Sequence, residues 1–220
     1  MNKEPGFTWK KPSLFVGICG GSASGKSQLA SYLKNRLGKR AVLFSLDWYY
    51  RDRSGVDLSS AMEINFDHPS ALETPLLDRH LKMLAEGRPI EAPSYDYQTH
   101  TRRLETRLIR PAEVVILEGL FVLHDRKVAA RLDLSVYIDV PADERLLRRL
   151  RRDSAERKVD IEETLRLYER FVRPMHEKFV APSAPSATWR WAQLEDRQFP
   201  ARLLREIRAR LLQVPTKHPR

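Results

Sequence analysis

The sequence predicts an α/β fold in which helices flank a mostly parallel β-sheet, and three observations support this prediction. Short apolar runs alternate along the chain with helical patterns. A glycine-rich loop stands between the first apolar run and the first helical pattern. Later apolar runs end at or beside an acidic residue. Because ligand groups gather beyond the carboxyl ends of parallel strands, these acids are the first candidates for a functional site.

The predicted central strands are short apolar segments of the kind that is buried in a parallel sheet. They are residues 14–19, 41–46, 114–117 and 134–138. The acids at the ends of the last three segments are Asp47, Glu118 and Asp139. We expect these three carboxylates to lie at one edge of the sheet.

Two further elements follow from local patterns. The dipeptide Thr74-Pro75 predicts the start of a helix that runs to Gly87, with Thr74 as its N-cap. Between residues 89 and 110, tyrosines, threonines and a leucine recur at alternate positions. This spacing predicts a small β-hairpin that projects from the main sheet.

The glycine-rich loop has the composition and the context of a phosphate-binding P-loop. Its residues are Gly20, Gly21, Ser22, Ala23, Ser24, Gly25, Lys26 and Ser27. Glycines let the chain curl so that backbone N–H groups point at an anion, and the following helix adds its N-terminus. Lys26 is predicted to reach the β- and γ-phosphates, and the Ser27 hydroxyl to bind Mg²⁺. The alternative, a loop that only turns the chain, is disfavoured by the strand, spacing and helix together.

Two of the strand-end acids suit nucleotide chemistry. Glu118 is predicted to hold Mg²⁺ directly or through water, because Mg²⁺ takes one or two carboxylates and keeps several waters. An acid that merely caps a turn is the alternative for this position. Asp47 stands where a kinase would need a carboxylate to orient the acceptor hydroxyl and take its proton. Asp47 is therefore the candidate catalytic base.

Length and composition limit the domain organisation. The chain of 220 residues suits a single domain over residues 13–212, with flexible tails at 1–12 and 213–220. One cysteine, no apolar run of membrane-spanning length and a polar N-terminus predict a soluble, cytoplasmic protein with no membrane partner. The net charge of +10 would suit nucleic acid, but no aromatic residues interleave with the basic clusters. We therefore expect no nucleic-acid partner.

One basic cluster has helical spacing. Arg145, Arg148, Arg149 and Arg152 stand at i, i+3, i+4 and i+7 on one face of a predicted helical lid, at about residues 142–160. Like charges so placed destabilise a bare helix, and they make sense if phosphate lies against them during turnover. The alternative is a solvated face whose charge is relieved by neighbouring acids.

Six motifs occur in the order and spacing of the uridine kinase (uridine-cytidine kinase) family, which the chain resembles over roughly residues 13–183. They are the P-loop at 20–27, SLDWYY at 45–50, NFDHP at 65–69, PSYDYQTHTR at 93–102, VILEG at 115–119 and RRLRRD at 148–153. The resemblance implies a P-loop kinase that transfers the γ-phosphoryl group of ATP or GTP, with Mg²⁺, to the 5′-hydroxyl of a pyrimidine ribonucleoside. It also implies a homo-oligomer, a tetramer or a dimer.

The resemblance assigns roles to individual residues. It implies that Asp47 is the base, that Lys26 and Arg152 act on the phosphates, and that Asp67 and Arg149 bind the ribose hydroxyls. The other substrate contacts that it implies are Tyr50, Phe66, Tyr95, Tyr97 and His100. Of these, Tyr95 and His100 would read the pyrimidine edge. A carboxylate and an arginine suit a ribose diol, and aromatic rings suit a flat base.

The sequence departs from the family pattern at several positions, three of which bear on the choice of acceptor. Lys158 and Val159 follow the lid helix where the family has Gly-Arg, and Leu167 stands where it has Gln. Two alternatives therefore stay open: a related kinase acting on another ribose-bearing or polyol acceptor, and a non-catalytic, nucleotide-dependent RNA-binding or regulatory protein. Asp47, the hairpin and the lid arginines favour an enzyme, since a nucleotide sensor needs none of them.

Overall fold

The computed structural model describes residues 13–54, 65–96, 99 and 101–213. The predicted tails lie outside these residues, except for Gln213. The strands of the described ranges are β1 (Leu14–Gly20), β2 (Ala41–Ser45), β3 (Ile90–Ala92), β4 (Tyr95–Asp96), β5 (Thr101–Arg102), β6 (Arg107–Ile109), β7 (Val114–Glu118), β8 (Leu134–Asp139) and β9 (Trp189–Ala192).

The main sheet has five strands in the order β2-β7-β1-β8-β9, and every neighbouring pair is parallel. This confirms the predicted fold class and all four predicted central strands. Each of these four strands is apolar over most of its length because helices cover both faces of the sheet. The first strand, β1, lies in the centre, so the loop that follows it opens at the middle of the carboxyl edge.

The helices of the described ranges are α1 (Lys26–Leu37), α2 (Thr74–Ala85), α3 (Arg126–Ala129), α4 (Ala142–Arg157), α5 (Ile161–Leu167) and α6 (Phe199–Gln213). After α5 the chain stays helical as far as Val180, with wide π turns at Tyr168–Val172 and His176–Val180. Pro174 lies between these two turns and has no backbone N–H to donate, which interrupts the regular α-helical ladder. No helix among the described residues combines the length and the hydropathy of a membrane span.

The helix predicted from Thr74-Pro75 exists, but its N-cap position is Glu73 and not Thr74. The Glu73 backbone N–H donates to the Tyr49 carbonyl at 2.8 Å, and its carboxylate pairs with Arg102 at 2.6 Å. These tertiary contacts hold the residue before Thr74 at the helix entrance. The Glu73 side chain makes no hydrogen bond to the helix, so contacts with other elements, and not a side-chain cap, hold the first turn in place.

The predicted hairpin is also present, as two short antiparallel ladders. One joins β3 to β6, and the other joins β4 to β5. Both lie apart from the main sheet. Tyr95 in β4 is opposite Arg102 in β5, so the inner ladder carries a residue of the predicted substrate site.

Two hydrophobic clusters pack on opposite faces of the sheet because successive strand residues point to opposite sides. Val16 and Ile18 of β1 join one cluster with α1 and α6. Phe15 and Cys19 join the other cluster with α2. Cys19 is fully buried, as expected for a small core residue.

Lys158 ends α4 in the left-handed conformation, with φ 58° and ψ 28°. This conformation costs a residue with a Cβ more than it costs glycine. We expect Lys158→Gly to stabilise the protein by roughly 1 kcal/mol, because strain relief outweighs the added freedom of the unfolded chain. Thermal unfolding should show an increase in Tm of about 2–4 °C for a chain of this size.

The matched control for this prediction is Gly38→Ala. Gly38 also has a positive φ, 60°, and a Cβ there would meet nothing within 4 Å. The substitution should therefore lower Tm through backbone strain alone. A Lys158→Gly variant with an unchanged or lower Tm would contradict the prediction.

Candidate active site

The loop between β1 and α1 needs the backbone freedom that its sequence provides. Gly20 has φ 150° and Gly25 has φ 92°. A Cβ on Gly20 would lie 2.8 Å from the Ile138 carbonyl oxygen, and one on Gly25 would lie 2.6 Å from Gln193 Nε2. Ala23 also has a positive φ, 60°. The loop is thus tightly curled at the N-terminus of α1, the geometry that suits a phosphate-binding nest.

Lys26 turns back over this loop. Its Nζ donates a hydrogen bond to the Gly21 carbonyl at 2.9 Å. Burial lowers the pKa of the Lys26 ammonium, while Glu118 and Asp47 oppose that shift. The cation is therefore partly desolvated and lies near two carboxylates, a setting in which a phosphate would be a strong additional partner.

Glu118 lies at the end of β7 and is almost fully buried. The parallel register places it beside Ile18 of β1 and Ser45 of β2. Its Oε1 accepts a hydrogen bond from Ser45 Oγ at 2.6 Å, and its Oε2 accepts one from Ser27 Oγ at 3.2 Å. The sheet thus brings the strand-end acid to the P-loop hydroxyl.

The pair formed by Ser27 and Glu118 fits a magnesium ion. A hydroxyl and a carboxylate oxygen are hard ligands, and Mg²⁺ completes its shell with water and phosphate oxygens. Among the described residues, no group of three or more histidines, cysteines or acids could form an all-protein metal cage. The donor set therefore suits a metal that arrives with a nucleotide.

Asp47 follows β2 in a short 3₁₀ turn, Leu46–Tyr49, and its backbone N–H donates to Ser45 Oγ at 3.3 Å. Burial raises the pKa of its carboxyl to about 7, Glu118 adds to the shift, and Lys26 opposes it. Burial also raises the pKa of the Asp67 carboxyl, against the influence of Arg149 and of Lys26. Asp47, Asp67 and Glu118 thus share one desolvated region with the P-loop lysine.

The four arginines on the predicted lid face have different surroundings in α4. Arg149 reaches the P-loop, where its Nη1 donates to Ser22 Oγ at 3.0 Å. Arg145 is buried and its Nε donates to the Val140 carbonyl at 3.1 Å. Arg148 pairs with Glu144 at 2.7 Å, so for this arginine the alternative of charge relief by a neighbouring acid holds.

Arg152 is the fourth arginine on the lid face of α4. It pairs with Asp153 at 2.8 Å. Its charge also lowers the pKa of the Asp67 carboxyl and of the Lys26 ammonium. Arg152 thus acts on the same charged region as the P-loop lysine.

Three of the predicted substrate residues form an aromatic cluster. The Tyr50 ring lies 5.5 Å from Phe66 and 5.4 Å from Tyr95, centroid to centroid. Tyr50 and Tyr95 are buried, and burial raises the pKa of the Tyr95 phenol to about 12. Tyr97 and His100 lie outside the described residues.

The three strand-end acids lie at the carboxyl edge of the sheet, as predicted, but Asp139 has a different partner from the other two. Its carboxylate pairs with Arg190 of the neighbouring strand β9 at 2.7 Å, near the surface. Arg190 on the edge strand β9 thus neutralises this acid. Glu118 instead accepts hydrogen bonds from Ser45 and Ser27.

Sequence reasoning missed two residues of the site, Ser45 and Arg157. Ser45 holds the second oxygen of Glu118, and its position before Asp47 gives no signal of that role. The Arg157 charge lowers the pKa of both Asp47 and Asp67. Extending the helical spacing from Arg149 through Asp153 by one more turn would have found Arg157.

The fold and the site together define a class of protein. A P-loop lies at the centre of a parallel sheet, and buried carboxylates and lid arginines face it, which is the constellation of a P-loop kinase that phosphorylates a hydroxyl group. A model of the Phosphoribulokinase / Uridine kinase family matches residues 15–198. The chain belongs to this family and is a phosphotransferase.

Named relatives agree with this membership, and a solved structure shares the fold. The chain is 42% identical over 173 residues to a uridine kinase from Staphylococcus epidermidis, covering 78% of this chain and 84% of that protein. It is 39% identical over 175 residues to a uridine kinase from Clostridium tetani, covering 79% and 83%. The fold is similar to that of phosphoribulokinase from Rhodobacter spheroides, with a TM-score of 0.58, 14% identity, and coverage of 81% and 69%.

Proposed function

We propose that the protein transfers the γ-phosphoryl group of ATP or GTP to the 5′-hydroxyl of uridine or cytidine. The observation that carries this proposal is the position of Asp47, a half-buried carboxylate of raised pKa, beside the P-loop lysine. The identity of about 40% to two proteins named uridine kinase supports the choice of acceptor. We propose Mg²⁺ as the accompanying metal.

The donor would be held by the P-loop. Backbone N–H groups of residues 20–27 and the Lys26 ammonium would bind the phosphates, and Ser27 and Glu118 would hold Mg²⁺. When bound, the ion neutralises charge on the phosphate oxygens. The lowered pKa of Lys26 shows that burial already disfavours its charge, so an anionic donor would relieve that cost.

Asp47 is the proposed base. It would accept a hydrogen bond from the acceptor hydroxyl and take its proton as the new oxygen–phosphorus bond forms. The bond between the γ-phosphorus and the oxygen that bridges it to the β-phosphate breaks, and the nucleoside diphosphate, ADP or GDP, leaves with that electron pair. A base with a pKa near the working pH is the most effective one. Lys26 and Arg152 would stabilise the charge on the transferred group.

The acceptor would lie between the lid helix and the aromatic cluster. Asp67 and Arg149 are close enough for their charges to influence each other, and together they offer an acceptor and a donor to a ribose diol. Tyr50, Phe66 and Tyr95 would enclose the pyrimidine. Tyr97 and His100 are proposed to join them, with His100 at the base edge.

A panel of acceptors tests the proposed function. Purified protein, Mg²⁺ and ATP are incubated with uridine, cytidine, adenosine, ribose and glycerol, and the phosphorylated products are identified by mass spectrometry. We expect UMP and CMP to form fastest. Phosphorylation of a polyol instead, or of none of the five acceptors, would refute the proposed acceptor. The homo-oligomer and the cytoplasmic location remain predictions from the family resemblance and from composition.

The positions that depart from the family pattern give a specificity prediction. Val159 lies in the turn after α4, Leu167 is the last residue of α5, and both are half-buried. If they face the acceptor, Val159→Arg with Leu167→Gln should lower KM for uridine by about tenfold, since each restored hydrogen bond to a buried partner is worth on the order of 1–3 kcal/mol at most. Because such contacts act in the ground and transition states alike, kcat should change less. Unchanged kinetics in a folded double variant would show that these positions do not contact the nucleoside.

A further inference from the structure

One buried carboxylate in the lid helix α4, that of Asp153, forms ion pairs with three arginines. The side chain of Asp153 is 4% exposed. Arg149 Nε lies 3.2 Å from its Oδ2, Arg152 Nη2 lies 2.8 Å from its Oδ1, and Arg157 Nη1 lies 3.6 Å from the same Oδ1. We call these four residues the Asp153 cluster. Its formal charge is +2, so the carboxylate only partly neutralises the arginines around it.

The same three arginines influence the reacting end of the site. Arg149, Arg152 and Arg157 all lower the pKa of the Asp67 carboxyl, and Arg157 also lowers that of Asp47. Arg149 in addition donates to Ser22 of the P-loop. The guanidinium groups that Asp153 holds are therefore the cations that face the acceptor and phosphate region.

Asp153 itself contacts the lid arginines. It lies on α4, and its two carboxylate oxygens are occupied by the arginines of its own helix. Without this carboxylate, three cations would lie close together with no common partner, and each would move toward solvent or repel the others. The arginines would then no longer be held toward the P-loop.

We propose that Asp153 is a positioning residue that holds Arg149, Arg152 and Arg157 toward the space between the P-loop and the carboxylates Asp47 and Asp67. The inference rests on the proposed function only in that the space is where the phosphoryl group is transferred. Preorganised cations stabilise transferring phosphoryl groups far better than mobile ones, and a misplacement of about 1 Å can cost about 100-fold in rate.

The chain offers a matched control on the same helix. Glu144 pairs with Arg148 at 2.7 Å, again at i and i+4, but this pair is more exposed than Asp153. Arg148 Nη1 also donates a hydrogen bond to Gln193 Oε1 at 2.5 Å. Glu144→Gln therefore removes one carboxylate from α4 without touching the Asp153 cluster. If the loss of any one carboxylate from α4 were enough to lower kcat, both substitutions would lower it.

The experiment compares wild type, Asp153→Asn, Asp153→Glu and Glu144→Gln. Four readouts are taken: Tm, the Kd for ATP by calorimetry, kcat and KM with uridine, and ATP hydrolysis without acceptor. We expect Asp153→Asn to lower kcat by about 10- to 100-fold with the Kd for ATP within about threefold, because the P-loop holds the donor. Asp153→Glu keeps the charge and should recover part of kcat, and Glu144→Gln should stay within twofold of wild type.

The outcomes separate the two proposals. If wild type fails to phosphorylate uridine and cytidine, the proposed acceptor is wrong. The Asp153 proposal is then judged by the rate of ATP hydrolysis without acceptor, with each variant compared with wild type. Wild-type kcat in Asp153→Asn, or equal losses in Asp153→Asn and Glu144→Gln, would overturn the positioning role. If Asp153→Asn does not fold, Asp153→Glu decides: a lowered kcat at unchanged Kd for ATP supports the proposal, and wild-type kcat overturns it.

Discussion

Lys26→Ala should lower the rate of phosphoryl transfer by roughly 1,000-fold or more while the protein still folds. The substitution removes the P-loop cation that is predicted to contact the β- and γ-phosphates, and electrostatic groups of this kind contribute on the order of 10²–10³ each to kcat. Folding should survive because burial already lowers the pKa of Lys26, so the charged side chain is a cost in the absence of nucleotide. The measurement is steady-state kinetics with ATP and uridine, together with thermal unfolding.

Lys34→Ala is the control for this variant. Lys34 lies on the same helix α1, and its Nζ donates to the Gly38 carbonyl at 2.8 Å, away from the P-loop. Its loss should leave kcat unchanged. Near wild-type turnover in a folded Lys26→Ala protein would refute the assignment of the P-loop.

Asp47→Asn should lower kcat by roughly 100-fold or more, in line with the contribution of a general base. The amide keeps the shape of the side chain but cannot take the acceptor proton. The Kd for ATP should change little, because the P-loop and not Asp47 is proposed to bind the phosphates. Asp139→Asn is the matched control, since Asp139 also ends a parallel strand but its exposed carboxylate pairs with Arg190. A kcat that hardly falls would show that another group takes the proton.

The pH dependence distinguishes a base from a group that only shapes the site. With the pKa of Asp47 raised to about 7, wild-type kcat/KM should fall as the pH decreases below about 7, because the protonated carboxyl cannot accept a proton. This acidic limb should flatten in Asp47→Asn. The same limb in both proteins would assign it to a different group.

The stability of the folded protein should change with pH in the direction opposite to kcat/KM: it should decrease as the pH rises. The native pKa of Asp47 lies above the ordinary value of 3.8 for an aspartic acid, so between these values the native state binds more protons than the unfolded state. Stabilisation by this group is therefore complete below about pH 3.8 and is lost as the pH rises through about 7. Asp47→Asn should accordingly gain Tm relative to wild type at pH 8 and show no such gain at pH 4.

The local elements were predictable because their signals are local. The P-loop is fixed by its own residues and by the strand and helix patterns around it, and the structure places it between β1 and α1 as expected. The four central strands follow from short apolar runs. The helix cap was missed because Glu73 is held by Tyr49 and Arg102, which are distant in sequence.

The sequence by itself determined the fold class, the phosphate-binding loop and the residue types of the candidate site, since backbone freedom, hydrophobic periodicity and motif spacing are properties of short segments. Only the tertiary structure decided which strand-end acids meet. The parallel register puts Glu118 beside Ser45 and Ser27, whereas Asp139 is neutralised by an edge strand. It also decided that Asp153 would be buried: its pairing with arginines follows from spacing along α4, but burial depends on which helix faces pack together.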